Sequence, residues 1–346
     1  AGWSLKQLLM EGLGGIPGKI TSSPAKHLSV LCNQMVNFLG IMQNEWAGAQ
    51  AFSSFDTYLA PFVKIDNLTY PEVKKCIESF IYGVNTPSRW GTQAPFSNIT
   101  LDWTVPGDMA ELPAIVGGKE ADFKYKDGKT EMDMINEAFI ETMIEGDANG
   151  RGFQYPIPTY SITKDFDWSD TENNRLLFEM TSKYGTPYFS NYINSDMEPS
   201  DVRSMCCRLR LDLRELRRKT GGFFGSGEST GSVGVVTINM PRIAYLAKDH
   251  MIDVSARYLK TKREVITKLL NQGLYPYTRR YLGTFENHFS TIGLIGMNEV
   301  GLNARWLGED MTSVQTQEFT KNVLNHMRER LSDYQEKYGD LYNLEA

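Results

Sequence analysis

Two adjacent cysteines, Cys206 and Cys207, are the side chains of this sequence best suited to covalent chemistry. They sit in SMCCRLRLDL, just before a strand-like stretch, with Arg208 and Arg210 beside them. A neighbouring cation lowers a thiol pKa, whereas radical chemistry at sulfur needs no thiolate. A glycine-rich connection follows, with Gly221, Gly222, Gly225, Gly227, Gly231 and Gly234, then an apolar run at 233–238 that stops at Asn239 and Pro241. A thiol on a loop or strand end, with an amide opposite, reads as a site. Two small residues at a strand start are the blander alternative.

Other chemistries find less support. Residues 222–230, GFFGSGEST, match the spacing of a phosphate loop except that Glu228 stands where lysine is needed, and a carboxylate there repels phosphate. The four histidines, His27, His250, His288 and His326, form no HxxxH or HExxH pair. No CxxC occurs among Cys32, Cys76, Cys206 and Cys207, so no four-ligand zinc pattern exists and no metal ligands are assigned. Against 36 basic residues stand 42 acidic ones, a formal charge of −6, which disfavours a dedicated nucleic-acid binder. With 346 residues the chain can bury a large core. The absence of an 18-residue apolar run and of a signal peptide points to a soluble, cytoplasmic protein away from membranes.

Helices and strands must position these residues. A helix is expected over 22–45, capped by Ser23 with Pro24 in its first turn and Leu28, Leu31, Met35, Phe38, Leu39 and Met42 on one side. Others follow at 70–84, 130–146, 252–271 and 313–337, each with apolar residues three and four apart. Cys32 and Cys76 lie on such apolar faces and read as core. The segment 45–62, EWAGAQAFSSFDTYLAPF, brings Gln50, Ser53, Ser54 and Asp56, which either face a ligand or cap local turns. A strand phrase recurs as PFSNITLD at 95–102, PTYSITKD at 158–165 and PYFSNYINSD at 187–196. Each places Asn, Ser or Thr where a buried strand would be apolar, so its strands are expected to turn polar groups into a cavity. Residues 288–306 read as a further apolar strand leading into a glycine-marked turn. The chain then stops at YNLEA with no evident closing element.

Together MCCRLRLDL, GSGESTGSVGVVTINMPRIAY, GWSLKQLLMEGLGGIPGKI, EWAGAQAFSSFDTYLAPF, TPYFSNYINSDM and IGLIGMNEVGLNARW resemble the anaerobic (class III) ribonucleoside-triphosphate reductases, over essentially the whole chain. The resemblance implies an α/β fold, a ten-stranded barrel of the glycyl radical enzyme type built from two five-stranded half-sheets. Residues 1–346 would be a single catalytic barrel domain with a central finger loop. It implies an oxidoreductase in which a finger-loop cysteine becomes a thiyl radical and removes the ribose 3′-hydrogen, after which the 2′-hydroxyl leaves as water. Pyruvate formate-lyase-type acyltransferases, which also use adjacent cysteines, and a non-catalytic nucleotide-binding barrel are the competing readings.

Carried over by position, Cys207 would bear the radical, with Cys206 beside it and Asn239 as the active-site asparagine. Asn98 and Ser97 lie on the strand where formate-using relatives place a second cysteine, and with Ser53 and Asn194 they would bind substrate. No cysteine occupies that strand, so either formate or a redoxin remains open as reductant. The resemblance further implies dNTP and ATP effectors, a homodimer near 130–146, and a glycyl radical made by an S-adenosylmethionine/iron–sulfur activase. The family's glycyl radical motif, its C-terminal zinc site and its N-terminal ATP cone are not found in these residues, so this stretch alone is expected to be inactive.

Overall fold

The structure is a computed structural model that describes residues 1–86, 94–195, 202–204, 210–212, 230–246 and 251–345. The chain forms two compact units, Ala1–Ser229 with Pro276–Tyr281, and Thr230–Tyr275 with Leu282–Ala346.

The first unit opens with β1 (Gly2–Trp3), α1 (Leu5–Glu11), α2 (Leu28–Met42), β2 (Gln50–Phe52), α3 (Phe55–Asp66), α4 (Tyr70–Asn85), β3 (Ser97–Leu101) and the one-turn α5 (Gly107–Ala110). It continues with β4 (Pro113–Val116), β5 (Lys119–Lys124), α6 (Lys129–Glu145), β6 (Ile157–Ile162), α7 (Glu172–Tyr184) and β7 (Tyr188–Asn191). Five strands make one sheet in the order β1-β2-β3-β6-β7, and every neighbouring pair runs parallel. Parallel neighbours need crossover connections, which the helices supply. The pair β4–β5 is a separate antiparallel hairpin.

Side chains alternate across a strand, so the register sorts the sheet into two faces. Trp3, Phe52, Ile99, Leu101 and Tyr160 share the face that meets the helices, and all are buried. Phe38 of α2 lies 5.5 Å, ring to ring, from both Trp3 and Phe52. Asn136 of α6 accepts from the Tyr160 hydroxyl at 3.0 Å. Burial of each of these large rings contributes roughly 1.5–3 kcal/mol. The opposite face is lined by Ala51, Asn98, Thr100, Thr159, Ser161 and Ser190, in register across four strands.

The helix expectations at 70–84 and 130–146 match α4 and α6 to within a residue. Glu72 folds back on Thr69, accepting from its backbone N at 2.9 Å and its hydroxyl at 2.7 Å, which fixes the start of α4. The expectation for 22–45 needs correction, because α2 begins only at Leu28. Ser22 is already committed to a backbone bridge with Leu13, and Gln34 donates to Ser22 Oγ and Ser23 O at 2.7 Å each. Those bonds hold 22–23 extended and Ser23 caps nothing.

A short antiparallel pair, β8 (Val202–Ser204) and β9 (Arg210–Asp212), follows in this unit. Cys206 and Cys207 fall between its strands in sequence and lie outside the described residues, as do 221–229, which hold all of the phosphate-loop look-alike but Thr230.

The second unit contains β10 (Gly231–Asn239), α8 (Met240–Leu246), α9 (Met251–Asn271), β11 (His288–Ile295), α10 (Met297–Asn303), α11 (Val314–Tyr338) and β12 (Leu341–Glu345). Its three strands are parallel in the order β10-β11-β12. Ile238, Ile292 and Tyr342 face α9 and α11, where Ala256, Leu259, Met327, Leu331 and Tyr334 complete the core. On the other face Ser232 Oγ lies 2.8 Å from Thr291 Oγ1, which donates to Asn343 Oδ1 at 2.7 Å, a polar file across all three strands. The final residues, which the sequence leaves as a tail, are therefore a strand.

Candidate active site

The polar face of the five-stranded sheet departs furthest from an ordinary core. Asn98 is 1% exposed, yet neither its side-chain oxygen nor its nitrogen finds a partner among the described residues. Thr100 Oγ1, Thr159 Oγ1 and Thr163 Oγ1 are buried in the same condition. Burying an amide or hydroxyl without a hydrogen bond costs about 1–3 kcal/mol each, so such a row is maintained at the expense of stability. A ligand bearing hydroxyl and carbonyl groups would satisfy it.

The site residues expected from sequence are placed unequally. Asn98 lies on this face, beside Thr100 and Thr159. Ser97, one residue earlier, turns by alternation to the helix side and is fully buried. Ser53 is half-buried just past the end of β2, and Asn194 is exposed beyond β7. Asn239 ends β10 in the second unit, exposed, where its Oδ1 accepts from Arg242 N at 3.0 Å and so caps the start of α8.

Asp56, for which ligand and turn readings both stood, is a structural centre. It is fully buried at the first turn of α3. Its Oδ1 accepts from Thr57 N at 3.1 Å and Asp102 N at 2.8 Å, and its Oδ2 from Trp103 N at 2.9 Å and Asn136 Nδ2 at 3.0 Å. Burial pushes the Asp56 carboxyl above its ordinary range, and these four N–H donors pull it back. Thr57 Oγ1 in turn donates to Asp102 Oδ2 at 2.7 Å. The network ties α3 and α6 to the exit of β3. Asn136, Asp102 and Trp103 were not singled out from sequence, since nothing in their spacing links them to position 56.

Just past this exit lies a cavity of about 380 Å³, lined by Asp102, Thr104, Ser161, Thr163, Lys164 and Tyr192 among others. Ligands of parallel α/β sheets bind beyond the carboxyl ends of the strands, which is where this cavity opens. Ser161 and Thr163 join it directly to the partnerless row.

The described thiols are not part of this chemistry. Cys32 is buried inside α2 and Cys76 half-buried on α4, and burial raises both pKa values above that of a free thiol. Both therefore remain protonated and fit the core role read from periodicity.

The family model of the anaerobic ribonucleoside-triphosphate reductases matches residues 1–346. No curated protein sequence matches. Among solved structures, the anaerobic ribonucleotide reductase from Thermotoga maritima with dATP bound in the specificity site is similar at 23% identity and a TM-score of 0.73, covering 99% of this chain and 59% of that one. The same enzyme with MES in the active site gives 23% identity and a TM-score of 0.75, covering 99% and 58%. With dATP and CTP bound it gives 22% and 0.70, again covering 99% and 58%. The likeness at this identity is one of fold, α/β with parallel sheets, and the chain spans about six-tenths of the length of those structures. With the family model matched from the first residue to the last, the chain belongs to the anaerobic ribonucleoside-triphosphate reductase family.

Proposed function

We propose that this chain is the catalytic-barrel portion of an enzyme that reduces ribonucleoside triphosphates to 2′-deoxyribonucleoside triphosphates. The observation that carries the reading is the row of buried side-chain atoms on Asn98, Thr100 and Thr159 that find no partner among the described residues, in a chain matched to the reductase family throughout. A hydrocarbon-filled sheet face would argue for a scaffold. A dry pocket would suit a small acyl substrate, whereas a row of amide and hydroxyl groups suits a ribose. The architecture that goes with this reading is the family's ten-stranded α/β barrel.

In this mechanism the Cys207 thiyl takes the ribose 3′-hydrogen, forming S–H and leaving a carbon radical at C3′. The 2′-hydroxyl departs as water after protonation, and the Cys207 S–H returns a hydrogen atom to C3′ at the end of the cycle. Two electrons come from formate, oxidised to carbon dioxide, or from a dithiol protein, oxidised to a disulfide, with Cys206 as exchange partner in the second case. Asn98, Ser53 and Asn194 hold the substrate, Ser97 lies beside Asn98 on the helix side of β3, and Asn239 orients the reacting sugar. The glycyl radical of the family, generated by a radical S-adenosylmethionine activase, supplies the unpaired electron. Homodimerisation and control by dNTP and ATP belong to the same reading.

The test is anaerobic turnover of a labelled ribonucleoside triphosphate by this stretch supplied with the family's glycyl radical segment and its activase, with formate or a redoxin as reductant. Cys207→Ser should abolish deoxynucleotide formation while leaving nucleotide binding intact. Retained turnover in that variant would overturn the assignment.

A further inference from the structure

The cavity beyond β3 and β6 has a chemical bias that the reductase reading does not specify. Three acidic side chains line it, Asp102, Asp108 and Asp165, against one amine, Lys164. Asp102 is 5% exposed and held in place twice, its backbone N–H donating to Asp56 and its carboxyl accepting from Thr57 Oγ1 at 2.7 Å. Its acceptor position is therefore set before any ligand arrives, which reduces the ordering cost of binding. Ser161, 4% exposed, lines the same cavity. So does Thr163, whose buried Oγ1 has no partner among the described residues. Two residues before Ser161 and on the same face stands Thr159, 3% exposed and equally partnerless.

A triphosphate brought into this space would meet three acidic groups and one cation, and like charges at contact distance repel by several kcal/mol once water is excluded. Hydrogen-bond donors, by contrast, are what a fixed carboxyl and free hydroxyls accept. We infer that this cavity binds the uncharged, donor-bearing end of a nucleotide, its ribose hydroxyls or exocyclic amine, through Asp102 and Ser161, and that the phosphates lie elsewhere. The inference rests on the nucleotide reading above and assigns which part of that ligand this cavity takes.

Calorimetric titration under anoxia with a ribonucleoside triphosphate, the matching ribonucleoside and inorganic tripolyphosphate, each with and without Mg²⁺, tests it. Asp102→Asn should weaken the nucleoside and the nucleoside triphosphate by the same factor, about tenfold for a lost hydrogen bond to a charged group, and leave tripolyphosphate unchanged. Asn keeps an acceptor for Thr57. Should that variant melt early, Ser161→Ala and Asp165→Asn carry the test with the same pattern at about threefold. Tighter tripolyphosphate binding in Asp102→Asn, or an effect seen only with Mg²⁺, would make the cavity a phosphate or metal subsite and overturn the inference. An unchanged nucleoside affinity in these variants would do the same. If the wild-type protein binds neither nucleoside nor triphosphate, the reductase reading fails first and this one with it.

Discussion

Trp103 donates its backbone N–H to Asp56 Oδ2 at 2.9 Å while holding a left-handed backbone, φ 63°. A bulky residue in that region costs of order 1–3 kcal/mol, so the buried carboxyl offsets strain where the chain leaves β3 for the cavity wall. The Trp103 ring is fixed as well, lying 5.3 Å from Tyr160 and stacked 5.6 Å from Phe166.

Replacing Asp56 with alanine should therefore do more than remove one cap. Four N–H donors lose their acceptor, and the variant is expected to lose about 3–5 kcal/mol in urea unfolding. A loss below 1 kcal/mol would mean that the network does not organise this region.

The row on the polar sheet face predicts the opposite sign. Thr159→Val removes a buried hydroxyl with no described partner, so unfolding free energy should stay the same or rise by up to about 1 kcal/mol. Turnover should nevertheless fall, because the hydroxyl serves the ligand. A variant that loses stability and keeps full activity would show that Thr159 is an ordinary core residue.

His288, at the start of β11, is 1% exposed, and burial with the Arg263 guanidinium nearby lowers its pKa from 6.5 to about 3. Its neutral form is favoured in the fold, so the unfolded chain binds the extra proton between those values. Stability is then full above pH 6.5 and falls as the pH drops towards 3, by at most about 1.4 kcal/mol per unit. His288→Gln should flatten that part of the stability profile measured by denaturant titration.

Gly296 precedes α10 at φ 87°, and a Cβ there would come within 2.6 Å of the Pro241 ring. Neither a rigid ring nor a left-handed backbone accommodates it. Gly296→Ala should cost about 1–3 kcal/mol, and because Pro241 lies two residues after Asn239, it should depress turnover too. Thermal melting and the anaerobic assay report the two effects separately.

Helix positions were legible in the sequence because apolar residues recur three and four apart in 70–84 and 252–271, and packing then decides only the ends. The polar strands were legible for a similar reason, since SNIT and TYSI break the apolar habit of parallel strands. Leu341–Glu345 was not, because a five-residue parallel strand owes its existence to β11, some fifty residues earlier, and local pattern carries no trace of that partner. Asp56 was visible as a candidate, but its four donors come from three separate stretches. Ser97 shows the finer limit: a one-residue step along β3 moves a polar side chain from the ligand face to the helix face.

Six residues, Pro276–Tyr281, side with the first unit although the chain on both flanks belongs to the second. Glu45 accepts from Tyr277 N at 3.0 Å and Thr278 N at 2.7 Å, and the Tyr281 hydroxyl accepts from Gly14 N at 3.0 Å. The polypeptide thus passes from one unit to the other three times along its sequence. A stretch of gene ending at Ser229 would therefore encode the first unit without six of its own residues, whereas 230–346 would carry the whole second unit together with six residues whose partners it has lost.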